Sequence, residues 1–226
     1  MNNVAIILAA GSGTRMHCEK SKLLLEINGK TVIERTVETF CKINEINEVI
    51  VVCRKKDLDS FEAVLSSYDI SYCFGGDTRQ QSVMNAVETV DDCDYLIIHD
   101  GARPLITTAE IQETLQCAVK NSAAAVGVPV KDTIKVVDSN MKIVDTPDRA
   151  SLISIRTPQI FEYKLYMEAV GIAKEQGKDF TDDCQLIENC GKPVYVTTGD
   201  YGNIKITTPE DIPMAESIIK MRGELK

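Results

Sequence analysis

No apolar run in the 226-residue chain approaches the roughly 20 residues that a membrane-spanning helix needs, the longest being of the size of Val4 to Ala10. No basic segment precedes a signal-like core either, so the expected compartment is the cytoplasm. Histidine is scarce, at two residues, which leaves the neighbours His17 and Cys18 without the partners that a metal centre requires. The eight cysteines are scattered singly and never form C-x-x-C, which argues against a metal knuckle. Several of them (Cys41, Cys53, Cys73) fall inside apolar runs, where a free thiol behaves as a small buried hydrophobe. Positive charge is also short. Lys and Arg number 25 against 34 Asp and Glu, a net charge of −9 that disfavours general adhesion to nucleic acid or to an anionic membrane. Any polyanionic ligand must then be met by a local basic cluster.

What is present is an ordinary globular composition, 44% hydrophobic and 26% charged, in a length that falls between one and two domains. Val4 to Leu8 is a β-branched apolar run that ends in Gly, Ser and Thr, a buried strand followed by a loop. Thr31-x-x-Glu34 is a capping box, and Val32, Ile33, Val37, Phe40 and Cys41 continue it at helical spacing. The alternation repeats, with strands expected at 49–52, 71–74, 95–99 and 123–128 and helices at about 58–65, 80–90 and 108–119. Nearly all-apolar strands separated by amphipathic helices predict a doubly wound α/β fold with a mostly parallel sheet.

Between Lys131 and Ile155 the rhythm breaks. Segments 133–137 and 142–144 flank the turn Asp138-Ser139-Asn140, which predicts a β-hairpin, an arm that projects toward a partner subunit or lies as a surface flap. Helices are expected again at 163–175 and 182–189, with Gly191 as a helix C-terminal glycine, then a strand at 194–197. Asn203 to Thr207 reads as strand-like, with Lys205 facing opposite to Ile204 and Ile206. Thr208-Pro209-Glu210-Asp211 reads as the start of the last helix. With no repeat, low-complexity tract or linker, one domain spanning residues 1–226, with an arm at about 131–155, is expected.

The chemistry concentrates after the first strand. In Leu8-Ala9-Ala10-Gly11-Ser12-Gly13-Thr14-Arg15-Met16 two glycines let the backbone approach a phosphate. It is not a Walker A loop, since Gly-Lys-Ser/Thr is missing, nor a dinucleotide fingerprint, since Met16 stands at the third glycine. Arg15, Lys20 and Lys22 follow closely and reverse the local charge, at the strand end where open α/β sheets bind ligands. A nucleoside triphosphate is the natural candidate.

These residues also carry a resemblance. LAAGSGTRM followed by Lys22 resembles the signature of the nucleotidyltransferases. The segments 75–83 (GGDTRQQSV), 99–104 (HDGARP), 128–133 (VPVKDT), 157–159 (TPQ), 181–183 (TDD) and 203–211 (NIKITTPED) resemble, in order and spacing, the 2-C-methyl-D-erythritol 4-phosphate cytidylyltransferases of the non-mevalonate isoprenoid route. The resemblance covers essentially the whole chain. It implies cytidylyl transfer, in which an acceptor phosphate oxygen attacks the α-phosphorus of CTP and pyrophosphate leaves, with no covalent enzyme nucleophile. Arg15 and Lys22 match the family's catalytic cations, and Ala9, Ala10, Gly11 and Gly13 its phosphate loop. Gly76, Asp77 and Ser82 match the positions that read cytosine, with Arg79 beside them. Asp100 matches the acidic position near Mg²⁺ and the acceptor, with Arg103 three residues on. Lys205 matches the holder of the acceptor phosphate, and Thr181 a further acceptor contact. Thr133 and Arg149 match positions that reach the acceptor bound to the opposite subunit, which implies a homodimer with shared sites. This chain departs from the family pattern at Ser21, where a proline often precedes the lysine, and at Ile153, where an aromatic is frequent.

Other readings differ in the acceptor or in the class. Ribitol 5-phosphate cytidylyltransferases share the fold and the CTP site, and segments 99–104 and 130–135 favour the methylerythritol phosphate enzymes. A nucleotide-sugar glycosyltransferase would want a D-x-D at a strand's C-terminal end, whereas Asp92-Cys93-Asp94 precedes its strand. A non-catalytic nucleotide-binding protein would not need the cations and Asp100 together.

Overall fold

The computed structural model describes residues 1–11 and 21–223. Strand β1 (Asn3–Leu8) is followed by a 3₁₀ turn at Lys22–Leu24, the two-residue strands β2 (Glu26–Ile27) and β3 (Lys30–Thr31), and helix α1 (Val32–Cys41). The Thr31 side chain accepts from the Glu34 N–H at 3.2 Å and so starts α1 where the capping pattern places it. Then come β4 (Glu48–Cys53), α2 (Leu58–Leu65), β5 (Ser71–Phe74), α3 (Arg79–Val87), β6 (Tyr95–Asp100), α4 (Thr108–Asn121) and β7 (Ala123–Pro129). The arm carries β8 (Val136–Val137) and β9 (Ile143–Asp145), antiparallel to each other. The remaining elements are β10 (Ile153–Glu162), α5 (Tyr163–Gln176), α6 (Asp183–Asn189), β11 (Tyr195–Thr198) and α7 (Asp211–Met221).

Seven strands form one sheet in the order β11-β7-β10-β6-β1-β4-β5. All neighbours are parallel except β10, which runs antiparallel to both β6 and β7. Strand alternation divides the core in two. Ala5, Ile7, Val49, Val51 and Ile97 face α1, α2, α4 and α7, while Val4, Ile6, Ile50, Val52, Leu96 and Ile98 face α3, α5 and α6. This double burial is why the central strands read as unbroken apolar runs. Each fully buried side chain of the size of Phe40, Phe61 or Ile33 contributes about 1.5–3 kcal/mol.

Three expectations are corrected. A ten-residue strand, β10, fills 153–162, where none was predicted; Pro158 sits inside it, preceded by a cis peptide bond, and the pairing with β7 shifts register between Ile155 and Gln159. Residues 203–207 are not a strand. They are an extended segment pinned by the Ile206 N–H to the Ala102 carbonyl at 2.8 Å. Helix α7 starts at Asp211, because residues 208–212 first close i→i+3 turns and the Asp211 carboxylate accepts from the N–H groups of Thr207 and Thr208. Among the described residues, seven cysteines are free, and burial pushes the thiols of Cys53 and Cys93 up to about 11 and about 12. His17, Cys18 and the residues Gly13, Arg15 and Lys20 lie outside the described residues.

Candidate active site

The chain winds outward from β1 through β4 and β5, then crosses back to β6 on the other side of β1. The carboxyl ends of β1 and β6 therefore part at a topological switch point, where open α/β sheets hold ligands. A cleft of about 590 Å³ opens there. Ala9, Ala10, Gly11 and Lys22 line it from the β1 side, Gly76, Asp77, Arg79 and Ser82 from the β5–α3 side, and Asp100 and Lys205 from the opposite wall.

The β5–α3 wall is built by close approach. A Cβ on Gly75 would strike the Ala10 Cβ, so the β1 and β5 loops meet because that position is glycine, and a Cβ on Gly76 would strike the Gln81 side chain of α3, so glycine there lets the loop lie close on its own helix. Ser82 Oγ donates to the Thr78 carbonyl at 2.9 Å and accepts from the Gly76 N–H at 3.1 Å, while Thr78 caps α3 by accepting from the Gln81 N–H at 3.0 Å. Ser82 thus acts on the loop backbone and sets the rim formed by Gly76, Asp77 and Thr78. Arg79 opens α3 and is fixed from behind: its Nη1 is 2.6 Å from Oδ2 of Asp183, a nearly buried residue at 3% exposure. Asp183 in turn accepts from the Tyr166 hydroxyl at 2.8 Å, and its N–H donates to Gln159 Oε1 at 3.1 Å. Burial works against the Arg79 charge, but Asp183 and Asp100 outweigh it and raise its pKa.

The opposite wall is a cation–carboxylate cluster. Asp100 ends β6, with Lys205 Nζ at 2.9 Å and Arg103 Nε at 3.4 Å from its Oδ2. Burial pushes the Asp100 carboxyl up, but Lys205, then Arg103 and Arg79, pull it down further and leave it at about 2. The carboxylate is therefore charged throughout the neutral range. Lys22 Nζ donates to the Ile206 carbonyl at 2.6 Å and so ties the β1 loop to the segment carrying Lys205. Among the described lining residues there is no histidine or cysteine, and the Ser82 hydroxyl is bonded to the backbone of its own loop. Lys22, Arg79 and Lys205 face one volume, which suits phosphoryl chemistry driven by positioning and charge. No group of three or more metal-ligating side chains gathers among the described residues. Asp100 is a single buried carboxylate on the cleft wall, the donor that suits a hard cation sharing its remaining ligands with substrate phosphates.

Not every predicted residue reaches the cleft. Arg103 stands behind Asp100 and donates to the Asn203 carbonyl at 3.0 Å. Thr181 bonds Gln185 Oε1 through both its N–H and its hydroxyl. Thr133 and Arg149 lie exposed on the arm, where Arg149 donates to the Lys131 carbonyl at 2.9 Å. Arg54 was missed: it lines the cleft from the end of β4 and pairs with Asp57. A cation directly after a parallel strand's carboxyl end was the signal. Also missed was Arg156, whose Nη1 reaches the carbonyls of Asp200, Tyr201 and Asn203 at 2.7–3.1 Å.

Comparison with known proteins finds one family along nearly the whole chain. The family model described as 2-C-methyl-D-erythritol 4-phosphate cytidylyltransferase (IspD) matches residues 3–221. A relative of that name from Caldanaerobacter subterraneus is 46% identical, over 97% of this chain and 100% of its own length. Another, from Geobacillus thermodenitrificans, is 40% identical over 98% and 99%. The crystal structure of 4-diphosphocytidyl-2C-methyl-D-erythritol synthase from Anaerococcus prevotii superposes with a TM-score of 0.87 at 35% identity, covering 97% of this chain and 98% of its own.

Proposed function

The chain belongs to the 2-C-methyl-D-erythritol 4-phosphate cytidylyltransferase family, and we infer on that premise that it transfers the cytidylyl group of CTP to 2-C-methyl-D-erythritol 4-phosphate in isoprenoid biosynthesis. The products are 4-diphosphocytidyl-2-C-methyl-D-erythritol and pyrophosphate. An acceptor phosphate oxygen forms the new bond to the α-phosphorus, the bond from that phosphorus to the bridging oxygen breaks, and pyrophosphate departs with the electron pair. The observation that carries the residue assignment is that Lys22, Asp100 and Lys205 converge on one cleft with the glycine loops of β1 and β5.

In this reading Ala9, Ala10 and Gly11 lie along the triphosphate, and Lys22, with Arg15, offsets the charge that builds up at the α-phosphate and the leaving oxygen. Gly76, Asp77 and Ser82 frame the base; a backbone carbonyl there selects cytosine by accepting from its exocyclic amine, which uracil lacks. Lys205 exchanges its bond to Asp100 for the acceptor phosphate, and Arg103 keeps the carboxylate charged. Asp100 would hold Mg²⁺ through its carboxylate, and the cation would supply charge neutralisation at the transferring phosphate.

The arm supports a homodimer. Met141, Ile143 and Val144 stand 77%, 56% and 57% exposed on it, apolar surface that a second copy would cover. Thr133 and Arg149 would then act on the partner's acceptor site, which explains why they are remote from the cleft of their own chain. No helix among the described residues is long and apolar enough to cross a membrane, in keeping with a cytoplasmic enzyme. The test is pyrophosphate release from CTP and Mg²⁺ on addition of methylerythritol phosphate, with ribitol 5-phosphate and UTP in parallel. Release confined to CTP with methylerythritol phosphate is expected; a preference for ribitol 5-phosphate or for UTP would overturn the assignment.

A further inference from the structure

His99 has no place in the chemistry above, yet it is fully buried directly before Asp100, with its ring against Phe40 at a centroid distance of 4.9 Å. Its Nε2 is 3.2 Å from the Arg103 carbonyl and its Nδ1 is 3.0 Å from Thr157 Oγ1. A carbonyl only accepts, so Nε2 carries the proton and Nδ1 accepts from the Thr157 hydroxyl. That hydroxyl oxygen in turn accepts from the Asp100 N–H at 3.0 Å. The ring therefore closes a loop of three hydrogen bonds around the turn from Asp100 to Arg103. Thr157 continues the chain: its carbonyl accepts from Asn203 Nδ2 at 3.0 Å, and the Asn203 carbonyl accepts from Arg103 and Arg156. His99, Thr157 and Asn203 are 0%, 4% and 0% exposed. Three segments distant in sequence, 99–103 with Asp100 and Arg103, 156–157, and 203–205 with Lys205, are thus registered to one another by a buried polar network.

We propose that His99 is a positioning residue for the acceptor site: bonded to the Arg103 carbonyl through Nε2 and to the Thr157 hydroxyl through Nδ1, it holds, through Thr157 and Asn203, Asp100, Arg103 and Lys205 in mutual register. Among the described residues no hydrogen bond of the brace reaches the β5–α3 wall, so its loss should fall mainly on the acceptor.

The inference rests on the cytidylyl transfer reading, and the experiment separates the two. His99→Phe keeps an aromatic ring against Phe40 and removes both nitrogens, and Thr157→Val removes the central hydroxyl while leaving His99 in place. For either variant, kcat/KM for the acceptor is expected to fall about 100-fold, as a misplacement of about 1 Å can cause, with the KM for CTP within about twofold of the parent. His99→Gln, whose amide N–H can donate to the Arg103 carbonyl, is expected to recover part of the loss. In the unmodified protein, ¹⁵N NMR of the imidazole at pH 7 should show the proton on Nε2 and Nδ1 as the acceptor, as the two hydrogen bonds require. Folded variants with unchanged acceptor kinetics, equal losses for both substrates, or the opposite tautomer would overturn the proposal. If the unmodified protein releases no pyrophosphate, the parent reading fails, while the NMR result still judges the brace.

Discussion

The Lys205 ammonium lies 2.9 Å from the Asp100 carboxylate, joining the end of a central strand to an irregular segment near the C-terminus. Asp100 is held down at about 2, below its ordinary value of 3.8, so its contribution to stability is full above the unfolded value and is lost as pH falls through about 2. Lys205→Met should therefore destabilise the protein most at pH 5 to 7, with a cost that shrinks toward pH 3. Urea denaturation at several pH values reads this directly. The same variant should lose about 100-fold in kcat/KM for the acceptor. A cost independent of pH would separate Lys205 from Asp100.

Arg79 reaches the cleft only while Asp183 holds it from behind. Asp183→Asn leaves a mostly buried guanidinium without its counter-charge and should cost about 3 kcal/mol in stability, read by denaturant titration. The KM for CTP should rise about tenfold in steady-state kinetics, because Arg79 is then free to leave the base side of the cleft.

Gly75 allows the β1 and β5 loops to touch. Gly75→Ala should push Ala10 and Ser82 away and raise the KM for CTP by roughly tenfold. Gly171→Ala is the control: Gly171 lies inside α5, and a Cβ there meets nothing within 4 Å. That substitution should leave activity unchanged and stabilise the protein by about 0.5–1 kcal/mol, measured by thermal or denaturant unfolding.

The arm makes the oligomeric state testable. Light scattering should find a dimer, and Ile143→Glu with Val144→Glu should shift it to a monomer that has lost acceptor turnover but still binds CTP. A wild-type monomer with full activity would contradict the shared site.

The central parallel strands and their helices were readable from sequence because β1, β4 and β6 are buried on both faces and α1 carries its own start signal at Thr31. Strand β10 was not readable. Its run Ile153-Ser-Ile-Arg-Thr-Pro-Gln-Ile-Phe-Glu mixes polar residues and a proline, and its stability comes from two neighbours already in place, β6 and β7. At the cleft, the resemblance named the residues that face the ligand volume, among them Lys22, Arg79, Asp100 and Lys205. The residues behind Arg79, Asp100 and the segment of Lys205, namely Asp183, Gln159, His99, Thr157 and Asn203, were not assigned roles, although their letters lie inside the same motifs. Their roles depend on partners brought together by the fold, which no local spacing encodes. The capping box of Thr107 and Glu110 was legible in the same way as Thr31 and was overlooked.

Transfer of the cytidylyl group from CTP to methylerythritol phosphate through Lys22 and its neighbours can be followed on the phosphorus atoms themselves, by ³¹P NMR of the protein with CTP, methylerythritol phosphate and Mg²⁺. The phosphate monoester signal should disappear as a new diphosphate pair and an equal amount of pyrophosphate grow in, and Lys22→Ala should leave the spectrum of the starting mixture unchanged. A persistent monoester signal with the unmodified protein, release of CMP in place of the diphosphate, or undiminished turnover by Lys22→Ala would contradict the account.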